Sequence, residues 1–294
     1  MTSCERASGT AIPAILSVQS AVAYGHVGNS AAVLPLQRLG FDVWPVNTVQ
    51  LGHHPGYGQF PGHIVEPERL APIVNGVLGR APLADCAGML TGYLGDEGAV
   101  DLVIEAREAI RSKCSDMVYL LDPVIGDDGP GVFVKPTIPG AIKERLLPLA
   151  DIVTPNRFEL ALLAEQEVTD IAQARAAATK LLERGPTLVV ATGLALTDQP
   201  CHLGLLAVVE DQTWLITTPK LAQHFSGTGD AFSALFLGHY LKTRDVKAAL
   251  ERAAAAIFLI CETTADRDDA ELSIIAAQDG LAEPPIRFEA TKMA

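Results

Sequence analysis

Short runs of apolar, β-branched residues alternate along this chain with longer stretches whose apolar positions return at helical spacing. AILSVQ precedes NSAAVLPLQRLG, DVWPVNTV precedes PERLAPIVNGVL, and DCAGMLTG precedes DEGAVDLVIEAREAIRSK. The pattern continues through MVYLLDP, through DIVTPN before RFELALLAEQ, and through TLVVATG after DIAQARAAATKLLERG. Near-continuous apolar strands separated by helices predict an α/β fold with a mostly parallel central sheet and helices on both faces. A single domain over 1–294 accommodates all of it, with 1–12 as a flexible N-terminal extension.

After Gly193 the register changes. HLGLLAVVE and TWLITT, joined by Asp211 and Gln212, read as an antiparallel hairpin. Three helices then end the chain, beginning near Gly227, Asp245 and Asp268, and ALERAAAAIFLI is apolar enough to be largely buried.

Composition narrows the partners. The chain has 294 residues, 49% of them hydrophobic and 19% charged, enough to bury a large core. A net charge of −13 argues against nucleic acid or an anionic membrane, which are bound through excess Lys and Arg. The cysteines (Cys4, Cys86, Cys114, Cys201, Cys261) are odd in number, widely spaced and without a C-x-x-C pair, so neither a disulfide framework nor a zinc site is suggested. The N-terminus is polar and Pro13 interrupts the apolar run after it, so neither a signal peptide nor a spanning helix is expected. A reducing cytoplasm is the expected address.

In open α/β sheets ligands sit beyond the carboxyl ends of the strands. VQSAVAYGHVGN, LTGYLGD, LLDPVIGDDGPG and IVTPNRFE each place Gly, Pro or a hydrogen-bonding side chain just after an apolar strand, although any βα loop contains such residues. HFSGTGDAFSALFLGHYL is more specific. It is not a P-loop, since no G-x-x-x-x-G-K-[ST] occurs, and not a dinucleotide fingerprint, since Phe232 stands where the third glycine belongs. What remains is a helix start whose first amides lack intrahelical partners and whose glycines let an anion approach the backbone. Asp230 at that start is suited to removing a proton from a hydroxyl about to attack a phosphoryl group.

GTGD before a small-residue helix is similar to the signature of ribokinase-like kinases, whose fold is a three-layer sandwich. QSAVAYGHVGNSAA, VNTVQL, LTGYLGD, DPVIGDDG and ADIVTPNRFEL, in that order, resemble the pyridoxal kinase branch from Ile15 to the C-terminal FEATK. The resemblance implies transfer of the γ-phosphate of ATP to the 5′-hydroxyl of pyridoxal, pyridoxine or pyridoxamine. It also implies Mg2+ as the divalent ion, K+ as a candidate monovalent one, and a homodimer.

Carried over by position, Asp230 is the general base, and the amides of Gly227, Thr228 and Gly229 stabilise the transferred phosphoryl group. Ser20 hydrogen-bonds the pyridine ring, and Tyr93 with His54, Pro55, Gly56 and Tyr57 walls the vitamer. Asp122, Asn156 and Glu159 hold the metal, while Asp122, Asp127, Thr154, Glu159, Thr192, Gly193 and Thr228 face ATP. Blander readings stand beside these. Ser20 serves equally as a turn serine, Asn156 as a helix cap with Glu159 completing a capping box, and Asp127 and Asp128 as a solvated acidic turn. His26, His53 and His63 form no metal-ligand spacing and receive no catalytic role.

Four departures bear on specificity. Pro55 stands where many relatives carry a substrate-touching threonine, and Ala21 where His or Gln follows the serine. Val132 and Thr192 stand where one bacterial group has cysteine and lysine. A hydroxymethylpyrimidine or hydroxymethylpyrimidine-phosphate kinase is the nearest alternative, typically with Cys in place of Asp230. A non-catalytic vitamer-binding protein is the other. A nucleotide-dependent oxidoreductase lacks its glycine fingerprint after the first strand.

Overall fold

The computed structural model describes residues 11–59, 61–196 and 198–293. Most of the expected N-terminal extension, 1–10, lies outside the described residues. The chain runs β1 (Ala14–Val22), α1 (Asn29–Arg38), β2 (Asp42–Leu51), β3 (Gly62–Ile64), α2 (Pro67–Arg80), β4 (Cys86–Thr91), α3 (Gly98–Arg111) and β5 (Val118–Leu121). A small ribbon, β6 (Gly126–Asp127) and β7 (Gly131–Val132), precedes α4 (Ile138–Ala141), β8 (Ile152–Val153), α5 (Arg157–Ala164), α6 (Ile171–Leu182) and β9 (Leu188–Ala195). The hairpin β10 (His202–Val209) and β11 (Gln212–Pro219) leads to α7 (Thr228–Thr243), α8 (Val246–Asp266), α9 (Ile274–Ala277) and β12 (Thr291–Lys292).

The main sheet has ten strands in the order β12-β11-β10-β9-β8-β5-β4-β1-β2-β3. Its centre, from β2 through β1, β4, β5 and β8 to β9, is parallel; β3 and β10–β12 add antiparallel edges. Both faces are buried, and the period-2 pleat divides each strand between two cores. In β9, Leu188 and Val190 pack with Ala31, Leu36, Phe236 and Ala253 of α1, α7 and α8. Val189 and Ala191, pointing the other way, pack with Leu70, Val103, Leu160 and Leu181 of α2, α3, α5 and α6. The architecture is the predicted three-layer sandwich.

Two local expectations need correction. The hairpin turn is Glu210-Asp211, because Gln212 already pairs with Val209. The helix expected near Asp268 does not form there. Asp268 has φ 55°, and the Asp269 carboxylate accepts bonds from Arg267 and Ser273, so a polar turn replaces it and α9 is only four residues long. The short edge strands β3 and β12 carry too little periodicity to be read from sequence. Among the described residues no helix is long and apolar enough to cross a membrane.

Strand order reverses at β1, which lies between β2 and β4. The crevice outside the carboxyl ends at such a switch point is where a ligand fits.

Candidate active site

A cavity of about 110 Å³ opens at the carboxyl ends of β5, β8 and β9. It is lined by Asp122, Val124, Gly126, Asp127, Phe133, Thr154, Asn156, Glu159, Thr192, Gly229 and Asp230. Typical ligand clefts are about 300–1,000 Å³, so this is a place where reacting groups meet rather than the seat of a whole nucleotide. The structure therefore gathers most of the residues expected to face ATP and the metal. Gly193 is exposed beside them.

Helix α7 delivers Asp230. Its N-cap, Gly227, has φ 85°, where glycine carries no steric penalty, and no side chain caps the helix. A Cβ at Gly227 would lie 1.8 Å from the His26 carbonyl oxygen, so this turn seats directly on the β1–α1 loop. The first intrahelical bond runs from the Ala231 amide to Gly227 O at 3.0 Å, leaving the amides of Thr228, Gly229 and Asp230 without helical partners. Gly229 is exposed, and Gly227, Thr228 and Asp230 are half-buried, so the amides are not sealed under packed side chains.

A second helix start meets the same cavity. Asn156 accepts the Glu159 amide at 2.8 Å, and the Glu159 carboxylate reaches back to the Asn156 amide at 3.1 Å, a complete capping box. Glu159 also accepts the Ile125 and Gly126 amides at 2.7 and 3.4 Å, while Asn156 Nδ2 donates to Gly126 O at 2.8 Å. Both side chains thus brace the loop carrying Asp127. Asp128, by contrast, turns outward to pair with Arg157.

Four carboxylates, of Asp122, Asp127, Glu159 and Asp230, line the cavity with no lysine or arginine among the lining residues. Burial pushes Asp230 up to about 6, opposed by the nearby Gly28 amide. Burial pushes Glu159 up to about 7 against the bonds it accepts from Asn156, Ile125 and Gly126. Asp122 rises well above the usual carboxylate range through burial and the charges of Glu159 and Asp230. Such a set favours a bound cation. Yet among the described residues no three His, Cys, Asp or Glu side chains converge closely enough to cage a metal alone. A cation would complete its shell with phosphate and water oxygens, as Mg2+ commonly does.

The residues expected on the vitamer side are split. Ser20 is 9% exposed, and its Oγ lies 2.6 Å from where a Cβ on Gly28 would stand, next to the loop that touches Asp230. Tyr93 sits at the rim, its ring 6.5 Å from that of Phe133. His54–Tyr57 do not line the cavity. They form a separate turn in which the Tyr57 ring packs on His53 and His54.

Sequence reasoning overlooked two participants. Ser233 Oγ donates to Asp122 at 2.8 Å and bonds Thr154 Oγ1 at 2.8 Å, tying α7 to β5 and β8. The signal was available, since Ser233 follows Asp230 by three residues and shares its helix face. Val124 lines the cavity with φ 45°, an uncommon conformation for a β-branched residue, and no sequence cue marks it.

The sequence model of the phosphomethylpyrimidine kinase family matches residues 80–266. Pyridoxal kinase PdxY of Rubrobacter xylanophilus is 43% identical over 282 residues, covering 95% of this chain and 97% of the relative. That of Deinococcus radiodurans is 43% identical over 286 residues, covering 95% and 96%. The structure of pyridoxal kinase from Leishmania donovani in complex with ADP and pyridoxine superposes with a TM-score of 0.87 at 34% identity, covering 95% of this chain and 99% of that one. Identity at this level along nearly the whole chain, with the fold retained, means that the chain belongs to the pyridoxal kinase family, within the phosphomethylpyrimidine kinase group.

Proposed function

We propose that this chain is an ATP-dependent pyridoxal kinase that phosphorylates the 5′-hydroxyl of pyridoxal, and of pyridoxine or pyridoxamine, in vitamin B6 salvage. The observation that carries this reading is the pairing at the start of α7 of uncapped, accessible amides with a half-buried aspartate on the cavity wall. Relatives along nearly the full chain are pyridoxal kinases, and the Leishmania structure holds ADP with pyridoxine.

In this reading Asp230 takes the proton of the attacking hydroxyl. A carboxylate held near 6 is ionised at neutral pH and basic enough to share that proton in the transition state. The amides of Gly227, Thr228 and Gly229 stabilise charge on the phosphoryl group, so catalysis is positioning plus electrostatics. Mg2+, when bound, would neutralise phosphate charge, and Asp122, Asn156 and Glu159 are the residues that would hold it. Asp127, Thr154, Thr192 and Gly193 would border the nucleotide phosphates, with Thr154 and Thr192 the candidates to meet a K+ ion. Ser20 and Tyr93 hold the pyridine ring. We further propose one domain over 1–294, a homodimer and a cytoplasmic location.

A coupled ATPase assay with the three vitamers and with hydroxymethylpyrimidine tests the reading. Vitamer-dependent ADP release is expected. Turnover confined to hydroxymethylpyrimidine would reassign the substrate, and no turnover at all would leave a binding protein.

A further inference from the structure

Outside the cavity, one acidic side chain joins three segments that are distant in sequence. Glu271, in the turn between α8 and α9, accepts the Tyr57 hydroxyl at 2.6 Å and the His26 amide at 3.1 Å. His54 Nε2 lies 3.5 Å from the same carboxylate. The Gly56 amide donates to His54 Nδ1 at 3.1 Å, which places the neutral ring's proton on Nε2, toward Glu271. A Cβ on Gly25 would stand 2.3 Å from Glu271 Oε2, so the carboxylate fills a notch that only glycine leaves open. The Glu271 side chain is only 11% exposed, although it lies in a surface turn.

These contacts are a built site rather than a chance surface pair. Their donors come from the β1–α1 loop beside Asp230 and from the separate turn that the pyridoxal kinase reading assigns to the vitamer wall. His26 belongs to the β1–α1 loop, whose carbonyl supports Gly227 and whose Gly28 amide faces Asp230. Tyr57 and His54 belong to the turn after β2, whose rings stand against one another and against Tyr24. Hydrogen bonds to an ionised acceptor are the stronger kind, and a carboxylate with several donors fixes their relative placement.

We propose that Glu271 is a positioning residue that latches the His54–Tyr57 turn onto the β1–α1 loop, and so sets the vitamer wall in register with Asp230. The inference rests on the pyridoxal kinase reading for its kinetic consequence, though not for the latch itself. Loss of the carboxylate should loosen both loops together and weaken vitamer binding most, while the α5 side of the nucleotide site, braced by its capping box, stays as it was.

The test is the full chain as wild type, Glu271→Ala and Tyr57→Phe, the second removing only the cross-loop hydroxyl. Hydrogen exchange should quicken about tenfold in Glu271→Ala in both 24–28 and 53–58, and less in Tyr57→Phe, as expected when a charge-assisted bond is lost. Vitamer KM should rise about tenfold with ATP KM changed less than about twofold, and the double variant should be no worse than Glu271→Ala. Unchanged exchange in the two segments overturns the latch. Quicker exchange with both KM values rising equally overturns the positioning role, because general loosening would explain it. A wild-type protein that phosphorylates no vitamer defeats the kinase reading instead, and exchange alone then decides the latch.

Discussion

Two helix starts face the same cavity and are finished in opposite ways. At α5, Asn156 and Glu159 exchange side-chain and backbone bonds, and the spare carboxylate lone pairs take the Ile125 and Gly126 amides. At α7, Gly227 supplies no cap and the amides of Thr228, Gly229 and Asp230 have no helical partners. A capped start is finished in the apo protein, and it stabilises the fold. An uncapped one keeps its positive end for a ligand, at some cost in stability. The same backbone physics thus finishes one helix start with the protein's own groups and leaves the other open to the cavity.

The contrast breaks most visibly at Asp230. Asp230→Asn keeps an acceptor for the Gly28 amide but removes the base, so kcat should fall on the order of 100-fold with vitamer affinity largely retained. Near-normal turnover in single-turnover kinetics would deny Asp230 its role.

Acid should act next. Because Asp230 titrates near 6, turnover should drop about tenfold per unit below that pH. The sign for stability is the reverse of the usual carboxylate case. Glu159 is raised from 4.5 to about 7 and Asp230 from 3.8 to about 6, so the folded chain holds protons that the unfolded chain releases. The favourable contribution is fully present below the unfolded values and is lost as pH climbs through the folded ones. Buried His239, lowered to about 4, acts with the opposite sign over the same range, so denaturant titrations of the apoprotein should compare wild type with Asp230→Asn, which should lose less stability between about pH 4 and 7. Equal slopes in the two proteins would contradict the raised carboxylate.

At the capped start, Asn156→Ala should destabilise the protein by about 1–2 kcal/mol, measured by urea unfolding, as for other lost caps. If Asn156 served the metal alone, stability would be unmoved and only the Mg2+ dependence of turnover would change.

The smallest effect sharpens the comparison most. A Cβ at Gly229 meets nothing within 4 Å, so Gly229→Ala fits sterically and should stabilise α7 by about 0.5–1 kcal/mol. Because that methyl group enters the phosphoryl-receiving space, ATP KM should rise even as Tm increases. Gains in both stability and activity would show that the opening at α7 is not used.

Much of the fold was legible because a buried parallel sheet writes itself as continuous apolar runs, and AILSVQ or TLVVATG admit few other readings. The helix that failed near Asp268 shows the limit. RDDAELS has helix-compatible residues, but Asp269 and Ser273 spend their side chains on a local turn, and Ser273 donates its amide to Thr264. Within the site, the uncapped helix start at GTGD was legible through local backbone rules. Asn156 and Glu159 were readable either as cap or as ligand, and only the bonds to Ile125 and Gly126 show how far they are committed to bracing a loop.

Sequence by itself determined the alternation of strands and helices, the open helix start at Gly227 and the presence of Asp230 beside it, because these follow from period, glycine and chain neighbours. Tertiary structure alone decided that Ser233 would hold Asp122, that Val124 would take a left-handed backbone, and that Glu271 would meet Tyr57 from 214 residues away. Contacts of that range depend on strand order and loop closure, and no local pattern of residues encodes which distant donor a buried carboxylate will find.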